Sequence, residues 1–259
     1  MSNQAPTPVP AATILMLRER EALEVFMVVR HHQIDFASGA LVFPGGKADA
    51  QDFDDALLPY LQGAAAETDM RAIQVCAIRE AFEECGILLA YRGDKLISGA
   101  ELEPLEPYRE KLNSGETALL DFLRDHELRL ACDQLVHFAH WITPEMMPKR
   151  FDTHFYLAVA PEDHLAIHDG YESVDSVWIK PGDAVADAEA GRRTIIFPTL
   201  KNVEKLATFG NIQAAVEETQ AGSVVPVLPW TEKREDGNYI CIPPEAGYEG
   251  NSERIPDRA

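Results

Sequence analysis

Apolar and polar positions alternate along this chain in two rhythms, one of strands and one of helices. Residues 11–19 (AATILMLRE) and 23–31 (LEVFMVVRH) are β-rich apolar runs joined by a short charged turn, and they predict a strand pair. Residues 39–46 (GALVFPGG) form a third apolar run that stops at Pro44, Gly45 and Gly46. Glycine there supplies positive φ and leaves room beside the backbone. Residues 47–69 break the rhythm: they are acidic, contain Pro59 and Gly63, and read as an inserted loop with a short helix. Residues 70–85 switch to helical periodicity, and Gly86 is a natural residue to end that helix.

A strand is predicted over 87–92, and mainly helix over 103–128. Residues 134–144 and 150–160 are strand-like, separated by the turn-rich PEMMPK. Residues 174–181 predict another strand, 183–191 a helix, and 197–220 a helix or helix pair. Residues 226–248 read as a hairpin around Asp236-Gly237. The polar ends, 1–10 and the tail after 249, are expected to be disordered or frayed. Strands and helices mix without regular βαβ alternation, which predicts an α+β or sandwich fold rather than a doubly wound sheet.

On a helical wheel with Glu80 at the origin, Glu83 and Glu84 fall near about 300° and about 40°. Val75, Ile78, Phe82 and Cys85 occupy about 140° to 220°, the opposite face. Like charges so placed destabilise a helix by roughly 0.2–0.5 kcal/mol per pair. A divalent cation would remove that repulsion: Mg²⁺ takes oxygen ligands and keeps waters and substrate phosphates in its shell. The plain alternative is a solvated helix face. Arg79, just before the first glutamate, is placed to orient it by a charge-assisted hydrogen bond.

Composition narrows the function. The 259 residues suffice for one elaborated domain or two small ones. The net charge of −20 builds no basic face for nucleic acid, and it would repel an anionic substrate unless local cations intervene. The four cysteines include no CxxC pair, and small core roles in a reduced, cytoplasmic setting are expected. No signal peptide and no apolar run long enough to span a membrane is read. Neither GxGxxG nor GxxxxGK[ST] occurs. His31, His32, His137, His140, His154 and His168 are not spaced like a metal cluster and are expected to be ordinary.

REAFEECGI (79–87) behind FPGG (43–46) resembles the Nudix hydrolase motif, Gly-x5-Glu-x7-Arg-Glu-U-x-Glu-Glu-x-Gly-U. The resemblance implies a Nudix-type α/β/α sandwich with a mixed sheet, a long insert before the catalytic helix, and extra helices. The motif's spacing from glycine to arginine is 14 positions; here it is 79 − 46 = 33, so 19 residues are inserted. Counted back from the arginine, the motif's first glutamate falls on Arg71, with Glu67 and Asp69 as off-register substitutes. HHQIDFASGALVFPGGKAD, WITPEMMPKRFDT and GYESVDSVWIKPGDA look like the long-insert subgroup that includes peroxisomal coenzyme A diphosphatases.

That resemblance implies hydrolysis of a diphosphate linkage in a small nucleoside diphosphate derivative, with Mg²⁺ or Mn²⁺ on Glu80, Glu83 and Glu84 and with Arg79 as part of the catalytic set. A homodimer is compatible with it. Coenzyme A is a candidate substrate: Arg30, Gly39 and FPGG fit the specific pattern, whereas Val28, His31 and Asp35 depart. Glu172 is either an additional base or ligand, or an exposed loop glutamate. Arg30, Lys149 and Arg150 are either phosphate contacts or surface ion-pair residues. Gly45 and Gly46 are expected beside the substrate. The domain is expected to run from 11 to 225, with a C-terminal extension from 226 to 259. The rival reading is a non-catalytic domain of the same family that binds a nucleotide as sensor or scaffold; Arg71 is the feature in its favour.

Overall fold

The computed structural model describes residues 5–30, 39–164 and 173–255. Glu172, His31, His32, Asp35 and His168 lie outside the described residues. The first strand, β1 (Val9–Glu19), begins inside the stretch expected to be disordered. Even Pro6 is tied, accepting a hydrogen bond from Arg150 Nη1 at 2.9 Å. β2 (Leu23–Arg30) follows. The third apolar run divides into β3 (Leu41–Val42) and β4 (Gly45–Lys47), because Pro44 has no N–H to donate between them.

The insert is compact. Two 3-10 turns, Ala50–Phe53 and Asp55–Tyr60, lead into β5 (Leu61–Gln62), and Leu57 is buried. Helix α1 (Thr68–Cys85) ends at Gly86, whose φ of 70° is the left-handed cap the sequence predicts. The strand expected over 87–92 is only its last part, β6 (Ala90–Arg92), turning into β7 (Lys95–Leu96). Helices α2 (Gly99–Leu102), α3 (Tyr108–Asn113) and α4 (Leu119–Asp125) precede β8 (Leu128–Ala131). Then come β9 (Val136–Ile142), β10 (Phe151–Val159) and β11 (Ser173–Ile179).

Helix α5 (Pro181–Glu189) is followed by a true helix pair, α6 (Phe197–Ala207) and α7 (Ile212–Ala221). A short β12 (Pro226–Val227) precedes the expected hairpin, β13 (Trp230–Arg234) and β14 (Gly237–Cys241). The tail is less frayed than expected, because β15 (Ser252–Arg254) pairs with β14. The segment after 226 is also not detached: β12 pairs with β9, and Val227 and Ile242 are buried in a common core with α6 and α7.

The main sheet runs β11-β2-β1-β10-β9-β12, with β3 on β2 and β4 on β1. β1 and β10 are parallel while β2 and β9 run antiparallel to them, so the sheet is mixed. The period-two pattern makes the layers. Ala12, Ile14, Met16, Phe26 and Val28 face α1, whereas Leu15, Leu17, Val25 and Met27 share a core with Ala184, Val203, Leu206 and Ala215 of α5 to α7. The result is an α/β/α sandwich.

A second sheet, β5-β8-β6-β7, and helices α2 to α4 cover the outer side of α1. Phe82 of α1 stacks on Phe122 of α4 with centroids 5.7 Å apart. α1 is therefore buried on nearly every side, and its carboxylate face does not look onto solvent: Glu83 and Glu84 are each only 6% exposed.

Candidate active site

β4 brings the glycine turn against the acidic face of α1. Gly46 pairs with Ala12 and Gly45 with Thr13, so both sit in the sheet beside the helix. The Gly45 N–H donates to Glu84 Oε2 at 2.9 Å. A Cβ on Gly46 would lie 2.5 Å from Oε1 of Glu80, so only glycine leaves that carboxylate in place. A Cβ on Gly45 would lie 2.3 Å from the Ala12 carbonyl oxygen. Both glycines, expected beside a substrate, thus first serve to seat two glutamates.

Arg79 organises the other side. It is 3% exposed. Its Nη1 donates to Glu80 Oε1 at 2.9 Å and to Glu83 Oε2 at 3.0 Å. Its Nε and Nη2 reach Asp52 Oδ1 and Oδ2 at 3.0 and 2.9 Å, and Nη2 also reaches the Lys47 carbonyl at 3.1 Å. Asp52 is itself held by the Asp49 N–H at 2.8 Å.

Asp52 is absent from the residues expected at the site, and the reason is arithmetic. It stands at 52 − 46 = 6 positions after Gly46, the motif's own spacing from glycine to acid. Counting back from Arg79 leads to Arg71 instead. The 19 extra residues therefore lie between Asp52 and Arg79, not before the acid. Arg71 does something else: it binds Asp55 Oδ1 at 2.7 Å, closing the insert onto the first turn of α1. The feature that favours a non-catalytic reading is thereby explained without it.

The electrostatics are those of three carboxylates sharing one guanidinium. Burial alone would push the Arg79 guanidinium down, but the bond to Asp52 and the Glu80 charge offset it and hold Arg79 protonated. The Glu83 carboxyl is raised to about 8: burial pushes it up most, Arg79 pulls it down, and the Glu80 and Asp52 charges push it up. The ion pair thus favours charge on Arg79 more than on Glu83, because Asp52 and Glu80 also draw on that cation. Burial likewise raises Asp52, against the pull of Arg79.

These residues fit a hard divalent cation. Glu83 Oε1 is buried and has no hydrogen-bond partner, an uncommon and costly state for a carboxylate oxygen. Arg79 Nη1 holds the Glu80 carboxylate beside that of Glu83, and Glu84 follows on the same helix, so the donors are carboxylate oxygens, the kind that Mg²⁺ and Mn²⁺ prefer. A bound cation would satisfy the oxygen and reverse the rise of the Glu83 carboxyl.

The remaining expected residues do not converge on the three glutamates in the same way. Arg150 is buried and committed to two carbonyls, Thr143 at 2.9 Å through Nε and Pro6 at 2.9 Å through Nη1, so it clamps the chain rather than offering itself to phosphate. Lys149 is exposed, its Nζ 5.5 Å from the Phe151 ring. Arg30 ends β2, half-buried, and its alternation with Phe26 and Val28 puts it on the α1 side of the sheet. His137, His140 and His154, expected to be ordinary, are brought together on β9 and β10 beside Asp152.

The chain matches the family described as NUDT19 Nudix domain over residues 61–206. An acyl-coenzyme A diphosphatase NUDT19 of Xenopus laevis is 22% identical over 231 residues, covering 73% of this chain and 61% of that protein. The Homo sapiens acyl-coenzyme A diphosphatase NUDT19 is 28% identical over 151 residues, covering 54% of this chain and 40% of that protein. The crystal structure of a NUDIX hydrolase from Alicyclobacillus acidocaldarius is similar with a TM-score of 0.70 at 27% identity, covering 84% of this chain and 99% of that one. Among the described residues, no helix is long and apolar enough to cross a membrane.

Proposed function

The chain belongs to the Nudix hydrolase family, and from that premise we propose that it hydrolyses the diphosphate linkage of a nucleoside diphosphate derivative, with coenzyme A or an acyl-coenzyme A as the first candidate. The observation that carries the reading is the placing of Glu80, Glu83 and Glu84 on one helix beside Gly45 and Gly46, with Glu83 Oε1 buried and without a hydrogen-bond partner. The names of the relatives and the fit of Arg30, Gly39 and FPGG support the coenzyme A class.

Glu80, Glu83 and Glu84 would hold Mg²⁺ or Mn²⁺. When bound, such an ion neutralises diphosphate charge, polarises phosphoryl oxygens and lowers the pKa of a coordinated water. The chain's own part is positioning, which carries most of the rate in phosphoryl chemistry. The Gly45 N–H fixes Glu84, and Arg79 fixes Glu80 and Glu83 from one side. Asp52 in turn locks Arg79, so the carboxylates are set before substrate arrives. Arg30, on the α1 side of the sheet, is the candidate cationic side chain for the phosphates.

The test is a substrate panel of coenzyme A, acetyl-coenzyme A, NADH, ADP-ribose and sugar nucleotides, with and without EDTA. Turnover of coenzyme A species that EDTA abolishes and Mg²⁺ or Mn²⁺ restores is expected, as is its loss in Glu83→Gln and Glu84→Gln. Full turnover in metal-free buffer, or fully active variants, would overturn the mechanism. Preference for another member of the panel would overturn the substrate class alone.

A further inference from the structure

Four polar side chains on β9 and β10 form a group separate from the three glutamates. His140 pairs across the ladder with His154, and their rings stack with centroids 4.0 Å apart at 16°. His140 Nε2 is hydrogen-bonded to Asp152 Oδ1. His154 Nε2 points to the same oxygen, 4.0 Å away. The other ring nitrogen of His154, Nδ1, is 3.0 Å from His137 Nε2.

The sequence spacing hides this group. Residues 137 and 140 are three apart, and in a regular strand they would face opposite sides of the sheet. The ladder shifts register between Phe155 and Tyr156: Ala139 pairs with Phe155, but His137 pairs with Tyr156. That bulge uses one residue of β9 and puts His137 on the face of His140 and His154. The face is that of α1, because His154 pairs with Ala12 and Tyr156 lies in the α1 core. Ala12 in turn pairs with Gly46, so His154 stands two strand spacings, about 10 Å, from the glycine that seats Glu80, and His140 and His137 one spacing further.

The geometry points to a second cation site on this face: His140, His154 and Asp152 hold a first-row transition metal such as Zn²⁺, and His137 orients His154. The three donor atoms already lie within 4.8 Å of one another. A tetrahedral site with bonds of about 2.0–2.1 Å separates its donors by about 3.3 Å, so the nitrogens and the carboxylate are close enough to share an ion once the two rings rotate out of their stack to bring both lone pairs to one point. With His154 Nδ1–H donating to His137, the lone pair of Nε2 is aimed at the Asp152 side, the arrangement by which an outer hydrogen bond fixes a ligating imidazole. Two imidazoles and one carboxylate select Zn²⁺ and its neighbours over Mg²⁺, the reverse of the all-carboxylate glutamate cluster. His140 and His154 are 15% and 13% exposed and Asp152 39%, which leaves an entry path and a position for water. The two sites thus differ in chemistry, and this proposal stands whether or not the chain hydrolyses a diphosphate.

The experiment is a Zn²⁺ titration of the full chain against a chromogenic chelator, in excess Mg²⁺ so that the glutamate cluster is occupied. One equivalent of Zn²⁺ is expected, with affinity lowered at least about tenfold in His140→Ala and in His154→Ala, and unchanged in Glu83→Gln. Co²⁺ in the same position should give the intense visible bands of a four-coordinate, nitrogen-bound ion, lost in His154→Ala. Circular dichroism of each variant separates loss of the ligand from loss of the fold, and His140→Asn and His154→Asn serve where alanine unfolds the chain. Equal Zn²⁺ affinity in wild type and both histidine variants would overturn the proposal, as would loss of the site in Glu83→Gln or a purely six-coordinate Co²⁺ spectrum.

Discussion

Asp52 and Arg79 are joined by two hydrogen bonds, Nε to Oδ1 at 3.0 Å and Nη2 to Oδ2 at 2.9 Å, across 27 positions of chain. Both side chains are buried, Asp52 at 2% exposure. The pair joins the insert to α1, so the aim of Glu80 and Glu83 depends on a residue of the loop before it.

Asp52→Ala should therefore be costly twice over. Removing one partner of a buried ion pair leaves an uncompensated charge and typically costs about 3–5 kcal/mol. The other Arg79 contacts, to Glu80, Glu83 and the Lys47 carbonyl, should hold the loss near the lower end. Urea unfolding measures the first effect, and diphosphate turnover the second. A midpoint within error of wild type would show that Asp52 does not hold Arg79.

Gly46→Ala tests the seat of Glu80. The new Cβ would stand 2.5 Å from Oε1, so the carboxylate must move. The atoms that must move are the end of a flexible side chain, so the urea midpoint should change little. Activity should fall by about tenfold or more, whereas Gly182→Ala, with open space around it, should change neither activity nor midpoint. Equal activity in the two variants would mean that Glu80 is free to relocate.

Phe82→Ala and Glu83→Gln should behave as opposites. Phe82 is 1% exposed and packed on Phe122, and its truncation should cost about 3–5 kcal/mol while the remaining folded protein keeps the wild-type response to EDTA and added Mg²⁺. Glu83→Gln removes one of three carboxylates that share Arg79, so the metal-free chain should be at least as stable as wild type and yet inactive. A destabilised, active Glu83→Gln protein would reverse the assignment of the two faces.

What the sequence disclosed, and what it hid, follows from the range of each signal. The α1 periodicity, the Gly86 cap, the glycine turn and the grouping of Glu80, Glu83 and Glu84 are local patterns, and each stands where the sequence places it. The depth of α1 was not legible, because a wheel reports faces and not neighbours: the second sheet and α4 bury the side that Phe82 presents. Asp52 was in plain view at its motif spacing from Gly46, but counting from the arginine end crosses the insertion. The histidine group needed the bulge at Phe155 and Tyr156, which no spacing rule anticipates.

His164 predicts a pH dependence outside the active site. Its Nε2 donates to the Ile97 carbonyl at 3.0 Å, while Nδ1 is buried without a partner. Burial holds its imidazole below the usual histidine value, against the pull of the Ile97 carbonyl and Asp163. A depressed base is neutral in the fold and takes up its proton more readily when unfolded, so its contribution is present above about pH 6.5 and is lost as pH falls below it. The difference in urea midpoint between wild type and His164→Gln should therefore shrink from pH 7.5 to pH 5. A constant difference would place that proton elsewhere.

The last prediction separates the two ways of counting the motif. If the acid partner of Arg79 belonged at position 71, Arg71→Glu should supply it and rescue Asp52→Ala. The structure says otherwise. Position 71 is on the first turn of α1, 79 − 71 = 8 residues before Arg79, and eight residues of helix span about 12 Å. No glutamate reaches that far along its own helix. Arg71→Glu alone loses the bridge to Asp55 from a side chain that is 11% exposed and sets a like charge against that carboxylate, so it should lower the urea midpoint without touching Arg79. Arg71→Glu should therefore keep activity within about twofold of wild type, and Asp52→Ala/Arg71→Glu should be as impaired as Asp52→Ala. Recovery of turnover in the double variant would place the 19 inserted residues ahead of the acid and remove Asp52 from the site.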